Sequence, residues 1–266
     1  MEAKLLPQNS GGITALLARR RRPVHKPGCF RVAAVLTRPT ENVVTDKRNT
    51  VKEVETIAGV AQIKTIYNDS WVDRMAINHL SQSVQATTGI RNDKDGYEGM
   101  VEAAKAVSRN FNPIEQRELV TAALEKAFPR PILTMIRTML PESKLAREFF
   151  AVFTTIFFVW LIGPCEVRES ELNGRTEKNV VHIKKCRFLE ESNCVGMCTN
   201  LCKVPSQTFI KDSLGVPVTM VPNFDDMSCE MIFGQEPPAS YDDPAFKQPC
   251  YKLCKETRKH GVKCSS

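Results

Sequence analysis

Nine of the ten cysteines fall after residue 164, at Cys165, Cys186, Cys194, Cys198, Cys202, Cys229, Cys250, Cys254 and Cys264; Cys29 stands alone near the start. So much sulfur in one stretch must go into metal ligation, disulfides or dense apolar burial, and each choice restricts how the back of the chain folds. Two spacings stand out. Cys194, Cys198 and Cys202 follow one another at intervals of four, and so do Cys250 and Cys254. On helices, these intervals line the sulfurs along one face. A continuous helix separates Cys194 from Cys202 by about 12 Å, and a thiolate–metal bond spans only about 2.3 Å. One ion therefore takes two neighbours from the row and needs partners from elsewhere, for which Cys250 and Cys254 are the natural complement. Two facing pairs would clamp a metal or cluster, close as inter-helix disulfides, or pack as buried thiols; the spacing matches neither common zinc-ribbon pairs nor the usual ferredoxin run.

The rest of this region is β-rich. The segments CEVRES from Cys165 and NVVHIK from Asn179 flank Asn173-Gly174, a strong hairpin turn signal. Alternation puts His182 on the face opposite Val181 and Ile183. A second strand pair, Val216 to Pro222 and Met227 to Phe233, flanks Asn223-Phe224-Asp225-Asp226, with Cys229, Met231 and Phe233 on one face. Asp225 and Asp226 are expected to serve the turn. Glu190 and Glu191, just before the cysteine row, are expected to serve a helix dipole.

The front half reads as helical. Ser70 is an N-cap ahead of Trp71, Met75, Ile77, Leu80 and Val84, and Asn92 to Gly99 is a turn before a helix over Tyr97 to Val107. Asn112-Pro113 opens another helix, which Pro129 and Pro131 stop. Pro141-Glu142 starts the next, ending at Gly163-Pro164. Its segment Phe149 to Ile162 (FFAVFTTIFFVWLI) holds 14 residues without a charge, short of the roughly 20 that span a bilayer. It reads first as a core helix, and second as the wall of a lipid-accepting cavity or an element lying in a membrane interface. Phe149, Phe150, Phe153, Phe157, Phe158 and Trp160 are the candidate lining of an apolar pocket. His79 and His182 are candidate nitrogen donors with ordinary structural alternatives.

The net charge of +7 lies in the first forty residues, where eight Lys or Arg face one acid. The remainder is balanced and carries no basic stripe, so no nucleic-acid partner is expected. The Arg- and Ala-rich, acid-poor start, without an apolar signal core, has the composition of an organelle transit peptide over residues 1–45.

The run GPCEVRESELNG from Gly163, EKNVVHIKKCRFLEESNCVGMCTNLCKVPSQTF from Glu177 and GVPVTMVPNFDDMSCEMIFGQEPP from Gly215 resembles the C-terminal domain of the plastid β-carotene isomerase family of strigolactone biosynthesis. The resemblance is dense over residues 163–238 and continues through Cys250 and Cys254. It implies an iron-containing chloroplast enzyme that interconverts all-trans- and 9-cis-β-carotene, with downstream carotenoid cleavage enzymes as partners and a mitochondrial location the lesser alternative.

The expected fold is α+β: a transit segment at 1–45, a helical region at 46–163, and a Cys-rich, iron-binding isomerase domain of β-hairpins and short helices at 164–266. The candidate metal ligands are Cys194, Cys198, Cys202, Cys229, Cys250, Cys254 and His182. Thiolate-held iron suits one-electron loosening of a polyene double bond. A hydrocarbon substrate without polar handles must be recognised by shape and apolar area, which implies peripheral contact with plastid membranes. The competing reading is a non-enzymatic iron–sulfur or dithiol redox module, and a third is a disulfide-stapled interaction protein.

Overall fold

The computed structural model describes residues 51–57 and 60–249, which belong to one unit. The leader, Cys250 and Cys254 lie outside the described residues. The fold is α+β, with most helices in the front half and an antiparallel four-stranded sheet in the back half.

Strands β1 (Val51–Ile57) and β2 (Val60–Thr65) pair antiparallel ahead of the helices, inside the region expected to be helical throughout. Helix α1 (Trp71–Thr88) begins where its cap was expected: Ser70 Oγ accepts from the Asp73 amide, and Asp73 Oδ2 accepts from the Ser70 amide. Of its apolar residues Ile77 is buried, whereas Trp71 and Met75 are exposed. Helix α2 (Gly96–Asn110) buries Tyr97, Met100, Val101 and Val107. Helix α3 (Pro113–Ala127) carries a second capping box, between Asn112 and Glu115. The prolines that end α3 also start a short helix absent from the sequence expectation, α4 (Arg130–Met139). Proline fits a first helical turn because its missing N–H has no partner there anyway.

Helix α5 (Lys144–Phe157) breaks at Phe158 before the single turn α6 (Val159–Ile162), so the apolar run is two elements. Gly163 ends it at φ 89° and ψ −175°, a conformation that only glycine adopts easily. Strands β3 (Cys165–Leu172) and β4 (Arg175–Ile183) form the expected hairpin, with Asn173 and Gly174 both at positive φ as a tight two-residue turn requires. After α7 (Arg187–Ser192) and the single turn α8 (Val195–Met197) comes a π-helix at Cys198–Lys203, then α9 (Val204–Leu214). Strands β5 (Val218–Pro222) and β6 (Cys229–Phe233) complete the sheet in the order β3-β4-β6-β5. A 3₁₀ turn follows at Pro244–Lys247.

The core lies between the inner sheet face and the helices. Helix α5 crosses β4, β3 and β6, burying Ala146, Phe150, Ala151 and Thr154, with Phe150 stacked on Phe233. The front helices pack directly on the back half: α3 meets the π-helix and α9, and α2 meets α7 and α8. Two ion pairs, each with one buried and one half-buried partner, tie these layers. Arg187 grips Asp69 through two bonds of 2.6 and 2.8 Å, donates to the Trp160 carbonyl, and lies between the rings of Tyr67 and Tyr97. Arg147 on α5 holds Glu177 on β4 through two bonds of 2.8 and 2.7 Å.

Candidate functional site

The π-helix sets the geometry of the cysteine row. Cys194 caps α8 and Cys198 opens the π-helix, so the three sulfurs are not on one continuous α-helix. A π turn is wider than an α turn and occurs frequently at functional sites. Here it carries Cys198, Cys202 and Lys203 to a cleft completed by Cys186 at the start of α7 and Cys229 on β6, with Ile162, Ile183, Phe188, Leu189, Met220 and Pro222 as walls. The space between them is about 10 Å³, the room of one water-sized particle. Cys229 reaches the cleft because alternation along β6 turns it inward with Met231 and Phe233.

All of these thiols are free. Burial pushes each thiol up. Cys202 reaches about 12, with Cys186 adding to the rise. Cys198 is raised further by Cys202, Cys229 and Cys186, and Cys229 by Cys186 and Cys202. The four sulfurs thus share one desolvated cleft and bias one another's ionisation. Outside the cleft, Cys165 is pushed to about 11 by burial. At neutral pH the cleft therefore presents thiols, and a bound cation would have to displace their protons. Among the described residues Lys203 is the one charged residue lining the cleft, and its ammonium is locked 2.5 Å from the equally buried Asp243 carboxylate.

Cys198, Cys202 and Cys229 thus line one cleft, and Cys194 is not among its lining residues. His182 points to the other sheet face, where Nδ1 lies 3.3 Å from Glu230 Oε1 on the neighbouring strand. His79 meets the Ala127 carbonyl at 3.0 Å. Cys186, absent from the sequence candidates, joins the cleft; it lies eight residues before Cys194, outside the contiguous four-residue row, and the start of α7 brings it there. Glu190 is more than a dipole partner: it is buried and accepts from the Thr65 amide, Tyr67 Oη and Lys185 Nζ. Asp226 accepts from the Ser228 amide and Asn223 from the Asp225 amide, turn chemistry as expected.

Thiolates are soft donors, of the kind that take iron or zinc. Among the described residues, however, no group of three or more His, Cys, Asp or Glu is arranged to hold one. The aromatic candidates separate. Phe150 belongs to the core, while Phe149, Phe153 and Phe157 stack in a ladder on the outer side of α5, and Phe158 meets Phe128, Phe153 and Trp160. None of the six lines the thiol cleft or the open 340 Å³ groove formed by Phe111, Glu115, Glu118, Leu119 and Ala122.

The fold and site define an α+β protein with a thiol-lined cleft at a π-helix. Residues 160–242 match the family described as "Beta-carotene isomerase D27-like, C-terminal". The chain is 58% identical over 266 residues, the full length of both proteins, to "Beta-carotene isomerase D27, chloroplastic" of Medicago truncatula. It is 50% identical over 223 residues to the protein of the same name from Arabidopsis thaliana, covering 83% of this chain and 84% of that one. This chain belongs to the β-carotene isomerase D27-like family and is an enzyme of the isomerase class located in the chloroplast. No solved structure matches it.

Proposed function

We propose that the protein is an iron-dependent cis/trans isomerase interconverting all-trans- and 9-cis-β-carotene in strigolactone biosynthesis, feeding carotenoid cleavage enzymes downstream. The observation that carries the iron reading is the convergence of Cys186, Cys198, Cys202 and Cys229 on one small apolar cleft. These four are the proposed ligand pool, with Cys250 and Cys254 as the further candidates. Iron bound there would supply one-electron chemistry that weakens a polyene double bond enough for rotation. The chain's own residues do the rest. Ile162, Ile183, Phe188, Leu189 and Met220 keep water from the cleft. Asp243 immobilises Lys203, so the ammonium charge beside the sulfurs is balanced.

The substrate class follows from the relatives' names, and a hydrocarbon ligand fits a protein with a large apolar exterior on α5. Peripheral contact with plastid membranes belongs to the same reading. Among the described residues no helix is long and apolar enough to cross a membrane.

Incubation with each β-carotene isomer, resolved by chromatography, tests the activity. Iron analysis of anaerobically purified protein tests the cofactor. Cys198→Ser is expected to lose iron and isomerisation together. A metal-free wild type with full activity would remove iron from the mechanism.

A further inference from the structure

Helices α4 and α5, joined by only residues 140–143, each turn an apolar stripe to solvent. On α4, Leu133 is buried and Ile136 packs on the core, while Ile132, Met135 and Met139 are exposed, Met139 by 71%. On α5, the buried face against the sheet leaves Leu145, Phe149, Val152, Ile156 and Phe157 outside, with Leu145 at 69% and Ile156 at 64%. Monomeric soluble proteins seldom expose large apolar side chains in rows, and such surfaces mark contact sites.

Charge identifies the occupant. No acidic residue occurs from Pro129 to Leu140, where Arg130 and Arg137 are both exposed, and no charge at all occurs from Phe149 to Cys165. Lys144 adds an exposed cation at the start of α5. The nearby acids are Glu125, Glu142 and Glu148: Glu142 is exposed in the connecting segment, and Glu125 and Glu148 form only exposed or half-exposed pairs with Arg130 and Lys144, which hold those cations weakly. Apolar tips flanked by cations match an anionic bilayer surface, with the side chains in the acyl layer and the cations at the headgroups. Flexible methionines suit so fluid a partner. We infer that the exposed faces of α4 and α5 are a docking surface for an anionic lipid bilayer. The inference rests on the proposed hydrocarbon substrate for its purpose, because docking would bring the enzyme to the phase that dissolves it.

Flotation of the full chain with phosphatidylcholine vesicles, with and without phosphatidylglycerol, tests this. The wild type should float with the anionic vesicles. Met135→Glu/Met139→Glu and, separately, Leu145→Glu/Ile156→Glu should each weaken binding by about tenfold or more, because a carboxylate is costly in hydrocarbon. Arg130→Glu should weaken binding to anionic vesicles by roughly fivefold and leave neutral vesicles unaffected. All variants keep the same basic leader, so their difference from wild type reads the helices alone, and exposed positions should leave the melting temperature unchanged. Equal flotation of wild type and both double variants overturns the inference. So does a wild-type dimer in sedimentation that these variants dissolve, since the surface would then join two copies. Isomerisation of detergent-dispersed β-carotene, measured on the same wild type, separates the two claims. Flotation without isomerisation defeats the proposed activity alone, and isomerisation without flotation defeats the docking surface alone.

Discussion

Arg147 and Glu177 are held in a double hydrogen bond with side-chain exposures of 14% and 3%. Removing one partner strands the other's charge in a poorly solvated place, which costs about 3–5 kcal/mol. Arg147→Met should lower the unfolding free energy by roughly 3 kcal/mol in urea titrations, and Arg147→Met/Glu177→Leu should recover much of that loss. The bond to Arg147 holds the Glu177 carboxyl below its usual range. Its stabilising effect is therefore complete above the unfolded value of about 4.3 and disappears as pH falls through the lower folded value. The stability gap between wild type and Arg147→Met should narrow in melts run from pH 7 toward pH 3, and a pH-independent gap would contradict this role. Neither residue carried a signal in the sequence, because a pairing across thirty positions depends on how α5 crosses β4.

At the scale of elements, the starts of α1 and α3 and the turn of the first hairpin were legible because each is decided within a few residues. A capping box needs only Ser70 with Asp73 or Asn112 with Glu115, and Asn112→Ala should cost about 1 kcal/mol in thermal or urea unfolding. Helix α4 was hidden because a proline pair signals both an end and a beginning. The break at Phe158 was hidden because an unbroken apolar run has no punctuation. Its exit at Gly163 is a stricter requirement: a Cβ there would lie 2.9 Å from the Lys185 carbonyl oxygen, at φ 89°. Gly163→Ala should destabilise by about 1–3 kcal/mol, and an unchanged melting temperature would show that the α6–β3 junction relaxes freely. The π-helix had no signature of its own, since intervals of four suit an α-helix equally well.

Over the whole molecule, the thiol cleft gathers residues from α7, the π-helix and β6. If it holds iron, Cys186→Ser should reduce bound metal as Cys198→Ser does, whereas Cys194→Ser should retain it; metal analysis of purified variants reads both. Loss of iron in Cys194→Ser with none in Cys186→Ser would return the site to the regular row. By itself the sequence determined the α+β class, the capped helices, the inward face of β6 and, through the long run from Gly163 to Pro238, the family. Those follow from local backbone preferences, alternation along one strand, and residue order. Only the tertiary structure decided that Cys186 joins the cleft while Cys194 and His182 do not, and which side of the apolar helix stays in solvent. Such outcomes depend on how separate elements pack against one another, and neighbours in space leave no mark on the spacing of neighbours in the chain.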